Sequence, residues 1–253
     1  MSSPIAENAD VGLAGKAVLV TGGSQRIGRA IALAFARKGS LVLIHYHRSG
    51  REARRLEREI VSEGGRARLY QADLSKSAQV RSLVRRIEKH TGGVDILINN
   101  AAVFYPTPFE KVVEREWDEY LALHVKAPFF LAQAFAPGMK RRGWGRIINI
   151  VDAGLSRPYV TYLLYGVSKT ALLHMTQALA KQLAPEVLVT AVCPGPILAA
   201  ENASQRQKDA VVRRSPLGRW GSPAEVARLA VFLAESDYAT GSCYHVDGGM
   251  SLV

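Results

Sequence analysis

Short apolar runs rich in β-branched residues alternate along the chain with longer amphipathic stretches. The short runs are typical of buried strands, and the amphipathic stretches carry apolar residues three and four apart, as helices do. The pattern predicts strands at residues 17–21, 41–45, 67–71, 95–99, 146–151, 188–192 and 243–246. It predicts helices at residues 27–37, 51–63, 77–90, 162–183 and 223–234, with two long helical patterns between the fourth and fifth strands.

The regular alternation of strands and helices predicts an α/β fold, a doubly wound parallel sheet with helices on both faces. The chain has 253 residues and shows no linker and no internal repeat. We therefore expect one domain over residues 15–253, after an N-terminal tail at residues 1–14. The least regular stretch, residues 197–220, is where a mobile flap is expected.

Charge, hydrophobicity and cysteine content indicate which partners and which cellular location to expect. The net charge is +11, but the arginines are spread over several helices and interleaved with glutamates, so we expect no nucleic-acid partner. No apolar run reaches the roughly 18 residues of a membrane span, so we expect no membrane contact. The polar N-terminus suggests no signal peptide. The two cysteines, Cys193 and Cys243, have no metal-ligand spacing and make no disulfide framework, which favours a reducing, cytoplasmic location.

A glycine-rich turn, TGGSQRIG at residues 21–28, joins the first strand to the first helix. Glycine permits a tight turn and close approach of the backbone, and a helix N-terminus offers free N–H groups to a pyrophosphate. This is the position of the dinucleotide-binding turn in a Rossmann-type fold. The alternative is an ordinary turn, since many loops are rich in glycine.

The end of the second strand indicates which dinucleotide would bind. NAD-binding folds place an acidic residue there, but this segment reads HYHRS at residues 45–49 and contains no acid. A carboxylate would repel a 2′-phosphate, whereas Arg48 can pair with it, and Arg26 in the glycine turn can do the same. We therefore expect NADPH, the alternative being two surface arginines without a ligand.

A phenol and an ammonium group are spaced four residues apart on the long predicted helix, as Tyr165 and Lys169. Residues at this spacing share one helix face, so the cation can favour the phenolate and make the phenol a usable acid near neutrality. The pair follows the fifth strand, at the sheet edge where parallel sheets bind ligands. The alternative is an exposed polar pair.

Taken together, these motifs resemble those of the short-chain dehydrogenase/reductase family over nearly the whole chain. The resemblance adds Asp73 near the adenine, NNAA at residues 99–102, PGP at 194–196 and VDGG at 246–249. It implies that Tyr165 donates a proton and that Lys169 holds the nicotinamide ribose. The cofactor would contact Gly22, Ser24, Arg26, Ile27, His47, Arg48, Ser49, Asp73, Leu74, Asn100, Ala101, Tyr165, Lys169, Pro194 and Gly195. The resemblance also implies a homotetramer.

Three departures from the usual family pattern narrow the activity. Asp152 replaces a serine thirteen residues before the tyrosine, Arg26 replaces the middle glycine of the turn, and His124 stands at the usual catalytic asparagine. The first two are shared with pteridine reductases, which HYHRS, NNAAVFYPTP, VDA and YLLYGVSK also resemble. By that resemblance Phe104, Asp152 and Tyr165 contact a pterin, with Asp152 serving proton transfer to a ring nitrogen. The alternatives are a capping or salt-bridging Asp152, core packing for Phe104, and a His124 bonded to backbone.

Three hypotheses follow from these residues. The first is an NADPH-dependent reductase of pterins or dihydrofolate, with catalytic residues Asp152, Tyr165 and Lys169. The second is a carbonyl reductase, for instance of 3-oxoacyl thioesters, whose arginine-rich helices would contact an acidic carrier protein. The third is a cofactor-sensing protein without turnover, against which the intact Tyr165 and Lys169 argue.

Overall fold

The computed structural model describes residues 12–199 and 204–253, in which seven parallel strands form one sheet. The strands are β1 (Ala17–Val20), β2 (Leu41–Tyr46), β3 (Arg66–Gln71), β4 (Ile96–Asn99), β5 (Gly145–Ile150), β6 (Val187–Pro194) and β7 (Cys243–Val246). Their order across the sheet is β3-β2-β1-β4-β5-β6-β7. The order reverses between β1 and β4, which is the switch point where such sheets bind ligands. The predicted doubly wound parallel sheet is confirmed.

Helices cover both faces of the sheet. They are α1 (Arg26–Arg37), α2 (Gly50–Ser62), α3 (Ser77–Thr91), α4 (Glu114–Leu121), α5 (Ala127–Arg141), α6 (Leu163–Leu183), α7 (Gln205–Arg214) and α8 (Pro223–Glu235). Neighbouring residues of a strand face opposite sides, so Val18 and Val20 pack with α1, α2 and α8 while Leu19 packs with α3, α5 and α6. No helix within the described ranges is long and apolar enough to cross a membrane.

Packed residues extend slightly beyond the predicted N-terminal boundary of the domain, and part of the predicted flap is helical. Residues 1–11 of the expected tail and residues 200–203 of the expected flap lie outside the described residues. Leu13 is 2% exposed and its carbonyl accepts a hydrogen bond from Ser40 Oγ at 2.9 Å, so the core reaches back at least to Leu13. Part of the expected flap forms α7, because helix-favouring residues outweigh the weak apolar periodicity there.

The two cysteines are joined by a disulfide, contrary to the expectation from the sequence that they make no disulfide framework. Cys193 lies in β6 and Cys243 begins β7, and the parallel register pairs Cys193 with His245. The two Cα atoms are 6.3 Å apart, within the usual range for a disulfide. His245 offers a ring nitrogen within 4.8 Å of both sulfurs. This cluster depends on strand register across 50 residues, which spacing along the chain does not reveal.

A chain of buried polar side chains joins β4, β5 and α6. Asn99 Nδ2 donates to Asn149 Oδ1 at 2.8 Å, and Asn149 Nδ2 donates to Thr176 Oγ1 at 2.8 Å. All three residues are buried, and Asn99 stands opposite Asn149 in the strand register. Asn149 therefore provides a hydrogen-bond acceptor for Asn99 and a donor for Thr176.

Replacing Asn149 by alanine should destabilise the fold. The Asn99 amide would lose its acceptor in a buried position, and such losses cost about 1–3 kcal/mol in the free energy of unfolding. Urea denaturation followed by tryptophan fluorescence measures this change. Gln182→Ala, at an exposed position of α6, should change stability by less than about 0.5 kcal/mol. Equal losses in the two variants would contradict the assigned contribution of the polar chain.

Candidate active site

The glycine-rich turn leads from β1 into α1, as the sequence predicts, and two of its residues have left-handed backbones. Gly22 has φ +61°, and a Cβ there would lie 3.0 Å from the Ala101 Cα, so a side chain would strain the turn. Arg26 has φ +51° at the position where the family pattern has glycine. A non-glycine residue in this region costs about 1–3 kcal/mol, and such strain concentrates at functional sites.

Hydrogen bonds fix this turn to the end of β4. Asn100 Nδ2 donates to the carbonyls of Thr21 and Gly22 at 2.9 and 3.1 Å. Thr21 Oγ1 accepts the backbone N–H groups of Asn100 and Ala101 at 2.9 and 3.0 Å. The structure therefore gives Asn100 and Ala101 a role in shaping the turn, beside their predicted place near the cofactor riboses.

His45 holds the glycine turn by a hydrogen bond, a role that the sequence did not predict. Its Nδ1 accepts the Gly22 N–H at 3.1 Å, so Nε2 carries the hydrogen and donates to the Ala72 carbonyl at 3.0 Å. Burial lowers the pKa of His45 to about 4, which keeps the ring neutral and Nδ1 able to accept. No local pattern marks this histidine, because its partners lie 23 and 27 residues away.

The loop after β2 meets the glycine turn at the predicted 2′-phosphate side. Ser24 and Ser49 share a hydrogen bond of 2.6 Å between their hydroxyl oxygens. Arg48 is exposed on that loop, and His47 Nε2 lies 3.9 Å from Asp73 Oδ2. Burial opposes ionisation of Asp73, but bonds from the Ser75 hydroxyl and N–H hold its pKa below the usual value. Arg26 and Arg48 thus carry cationic charge on the two segments that Ser24 and Ser49 join.

The remaining predicted cofactor residues lie at the same edge of the sheet. Ile27 stands in the first turn of α1 and is partly buried, while Leu74 follows β3 and is 4% exposed. Pro194 ends β6, and the N–H of Gly195 donates to the Val246 carbonyl at 2.9 Å. A Cβ on Gly195 would lie 2.6 Å from the Asp247 Cα, so only glycine fits this close approach.

Asp152, Tyr165 and Lys169 come together where β5 ends and α6 begins. Tyr165 Oη donates to Asp152 Oδ2 at 3.0 Å. Lys169 Nζ donates to the Ile150 carbonyl at 2.7 Å and lies 5.7 Å from the centre of the Tyr165 ring. The structure therefore places all three predicted catalytic side chains in one cluster.

The charges of this cluster differ from the sequence expectation that Lys169 would favour a phenolate. Burial, followed by the charge and hydrogen bond of Asp152, raises the pKa of Tyr165 well above its usual value. Burial lowers the pKa of Lys169 to about 8, although Asp152 opposes this shift. Asp152 contributes to the shift of Tyr165 both through its charge and by accepting the phenol hydrogen. Tyr165 consequently keeps its proton at neutral pH, the form that a general acid needs.

Phe104 lies beside this cluster and is 57% exposed, so the alternative that it serves core packing is wrong. Its ring stacks on Tyr162 at 4.3 Å between centroids and 3° between planes. It also meets Tyr165 edge-on at 4.8 Å. An exposed aromatic platform therefore adjoins the Tyr165 hydroxyl, and Tyr162, which the sequence analysis did not select, supports it.

His124 is buried in a π-helical turn, Ala122–Lys126, between α4 and α5. Its Nε2 accepts the Val103 N–H at 3.0 Å, so Nδ1 donates to Ser168 Oγ at 2.8 Å. Ser168 Oγ in turn donates to the Tyr165 carbonyl at 2.9 Å. Burial and then the charge of Lys169 lower the pKa of His124 well below its usual value. His124 is thus a neutral bridge, as in the alternative of a histidine bonded to backbone.

Comparison with known proteins agrees with this geometry. A family model described as enoyl-(acyl carrier protein) reductase matches residues 22–251. A 3-oxoacyl-(acyl-carrier-protein) reductase of Aquifex aeolicus is 36% identical, covering 95% of this chain and 99% of its own. The FolM alternative dihydrofolate reductase 1 of Brucella canis, solved in complex with NADP, is 34% identical with a TM-score of 0.90 over 96% of each chain.

A third similar protein is a blue fluorescent protein from a metagenomic library, solved in complex with NADPH. It is 35% identical, with a TM-score of 0.86 over 94% of this chain and 99% of its own. The family model covers most of the chain, and each of these relatives is more than 30% identical over at least 94% of it. The chain therefore belongs to the short-chain dehydrogenase/reductase family.

Proposed function

We propose that this chain is an NADPH-dependent reductase of pterins or dihydrofolate. The observation that carries the proposal is the hydrogen bond from Tyr165 to the Asp152 carboxylate, at a position where family members usually have serine. A serine hydroxyl suits a carbonyl oxygen, whereas a carboxylate accepts the N–H groups of a pterin ring. The exposed face of Phe104 beside it suits a flat heteroaromatic ring. The dihydrofolate reductase named above, at 34% identity, adds support.

NADPH fits the residues around the glycine turn. The tight turn at Gly22 and the start of α1 leave backbone N–H groups for the pyrophosphate. Arg26 and Arg48 would hold the 2′-phosphate, with His47 and Ser49 on the same side. When bound, the cofactor supplies the hydride. The NADP and NADPH complexes of two similar structures support this choice.

The side chains of the site would bind the substrate and transfer the proton. Asp152 would bind and orient the substrate through ring or amino N–H groups, and Phe104 would stack on the ring. Tyr165, protonated at neutral pH, would give its proton to the ring nitrogen next to the reduced carbon. Lys169 would hold the nicotinamide ribose, and its positive charge would stabilise the Tyr165 oxygen after the proton leaves.

The second candidate is a carbonyl reductase acting on 3-oxoacyl thioesters. The 36% identity to a 3-oxoacyl-(acyl-carrier-protein) reductase favours it. Tyr165 and Lys169 could serve that reaction without Asp152. NADPH oxidation assayed with dihydrobiopterin, dihydrofolate and an acetoacetyl thioester separates the two candidates, and a protein that only senses the cofactor would turn over none of them.

Assembly and location stay predictions from the sequence. Large exposed apolar side chains on α4 and α5, including Trp117, Phe129 and Phe130, support association into the proposed homotetramer. A cytoplasmic location and the lack of a nucleic-acid partner are likewise proposed, with a small molecule as substrate.

Changing Arg48 to aspartate should reverse the cofactor preference. The substitution replaces a phosphate partner with a repelling carboxylate, which should lower the ratio of kcat/KM for NADPH over NADH by about 10- to 100-fold. Steady-state kinetics with both cofactors measure this ratio. Arg58→Asp, an equal charge change at an exposed position of α2, should leave it unchanged. A wild-type enzyme that uses NADH as well as NADPH would show that the phosphate site is misassigned.

Changing Tyr165 to phenylalanine should remove most turnover and keep the fold. General acid catalysis contributes about 10²- to 10⁴-fold, so kcat should fall by that amount. NADPH binding, followed by fluorescence, should persist because the ring remains. Tyr238→Phe, at a tyrosine that is 99% exposed, is the matched control and should keep wild-type kcat. A Tyr165→Phe variant with near wild-type kcat would remove this residue from the mechanism.

Changing Asp152 to serine should move two activities in opposite directions. The variant loses a charge-assisted bond, roughly twice as strong as a neutral one, so reduction of pterins or dihydrofolate should fall sharply. Serine is the usual family residue at a carbonyl site, so reduction of simple ketones or 3-oxoacyl thioesters should persist or rise. Asp118→Ser, on the exposed surface of α4, should change neither. If wild type reduces only carbonyl compounds and Asp152→Ser impairs that reduction, the second candidate replaces the first.

A further inference from the structure

Asp152 accepts three hydrogen bonds, and they are divided unequally between its two oxygens. Oδ1 accepts the Gly154 N–H at 2.7 Å and the Tyr159 hydroxyl at 2.6 Å. Oδ2 accepts only the Tyr165 hydroxyl at 3.0 Å. Each carboxylate oxygen has about two acceptor sites. Oδ1 is therefore fully used, and the remaining capacity of the carboxylate lies on Oδ2, the oxygen that meets Tyr165.

Tyr159 is held in place by packing as well as by its hydrogen bond. It lies between the short helical turn Ala153–Ser156 and α6, and its side chain is partly buried. A Cβ on Gly154 would collide with the Tyr159 phenol, and a Cβ on Gly166 would lie 3.3 Å from its ring. Two glycines thus leave the space that the ring fills, and the ring meets Tyr165 edge-on at 5.9 Å.

The hydroxyl of Tyr159 acts as a permanent donor to Asp152. Burial, then the charge of Asp152 and the hydrogen bond to it, raise the pKa of Tyr159 far above its usual value. The phenol therefore stays protonated over the whole working pH range. A free carboxylate could turn about its Cβ–Cγ bond and exchange its two oxygens, whereas two fixed donors on Oδ1 resist that rotation.

We propose that Tyr159 is a positioning residue, which fixes the Asp152 carboxylate so that Oδ2 alone faces Tyr165 and the substrate. That Tyr159 helps to orient the substrate through Asp152 rests on the proposed function. The contact between Asp152 and Tyr165 is present whatever the substrate. Tyr159 acts only through Asp152. The effect of changing Tyr159 should accordingly depend on whether Asp152 is present.

A double-mutant cycle tests this dependence. Tyr159→Phe removes the hydroxyl and keeps the ring, so the fold should survive, as thermal unfolding will verify. It should lower kcat/KM by about 10- to 100-fold, the range for a hydrogen bond to a charged group, mainly through kcat. In the Asp152→Ser background the same change should lower kcat/KM by less than about 2-fold. Tyr238→Phe should have no effect in either background.

The cycle is read on kcat/KM for dihydrobiopterin. For a wild-type enzyme that reduces only an acetoacetyl thioester, it is read instead on the pH dependence of kcat, because the contact of Asp152 with Tyr165 is present with either substrate. Failure of the proposed pterin activity therefore appears in the wild type alone and leaves the cycle measurable. A loss that is equal in the two backgrounds would give Tyr159 a purely structural role and overturn the proposal. A Tyr159→Phe variant with wild-type kcat/KM for dihydrobiopterin would overturn it as well, and so would an unchanged pH dependence of kcat for a thioester.

Discussion

Both halves of the site depend on the parallel pairing of β1 with β4. This pairing puts Thr21 next to Asn100, where side-chain and backbone hydrogen bonds lock the glycine turn to the end of β4. The next pairing, of β4 with β5, carries Asp152 to the same edge. Because parallel strands end together, the glycine-rich turn and the cluster of Asp152, Tyr165 and Lys169 lie at one edge of the sheet, although their residues are far apart in sequence.

Two features of the site are unfavourable for the free energy of folding: a backbone conformation and a buried group of ionisable side chains. Arg26 keeps a backbone conformation that favours glycine, which brings a guanidinium into the glycine-rich turn. Asp152, Tyr165 and Lys169 bring ionisable groups into a largely buried cluster, and burial opposes the charged forms of Tyr165 and Lys169. The cost is offset because each is hydrogen-bonded, Tyr165 to Asp152 and Lys169 to the Ile150 carbonyl. The Tyr165 phenol therefore keeps its proton, and the Lys169 ammonium lies where it can stabilise a negative charge on the phenol oxygen.

All seven strands were predictable because short β-branched runs bounded by turns are local signals, and parallel order follows from their alternation with helices. The glycine turn, Tyr165 and Lys169 were also predictable, since fixed spacing within one element carries the chemistry. The support of Gly22 by His45, the bond from Tyr159 to Asp152 and the pairing of Cys193 with Cys243 were not. Each depends on strand register or on the path of a loop, and neither is encoded by spacing.

A carrier-protein reductase and a dihydrofolate reductase are almost equally similar to this chain, at 36% and 34% identity. Such identities measure the shared sheet, turn and helices, which serve either reaction equally. The proposed preference for a pterin over a carbonyl substrate rests on the hydrogen bonds that Asp152 can accept. A carbonyl oxygen only accepts, so it gains nothing from a carboxylate whose Oδ1 is filled by two donors and whose Oδ2 already faces Tyr165. A pterin would present N–H donors to that oxygen and a ring nitrogen to the phenol, whose single hydrogen would turn from Asp152 to that nitrogen.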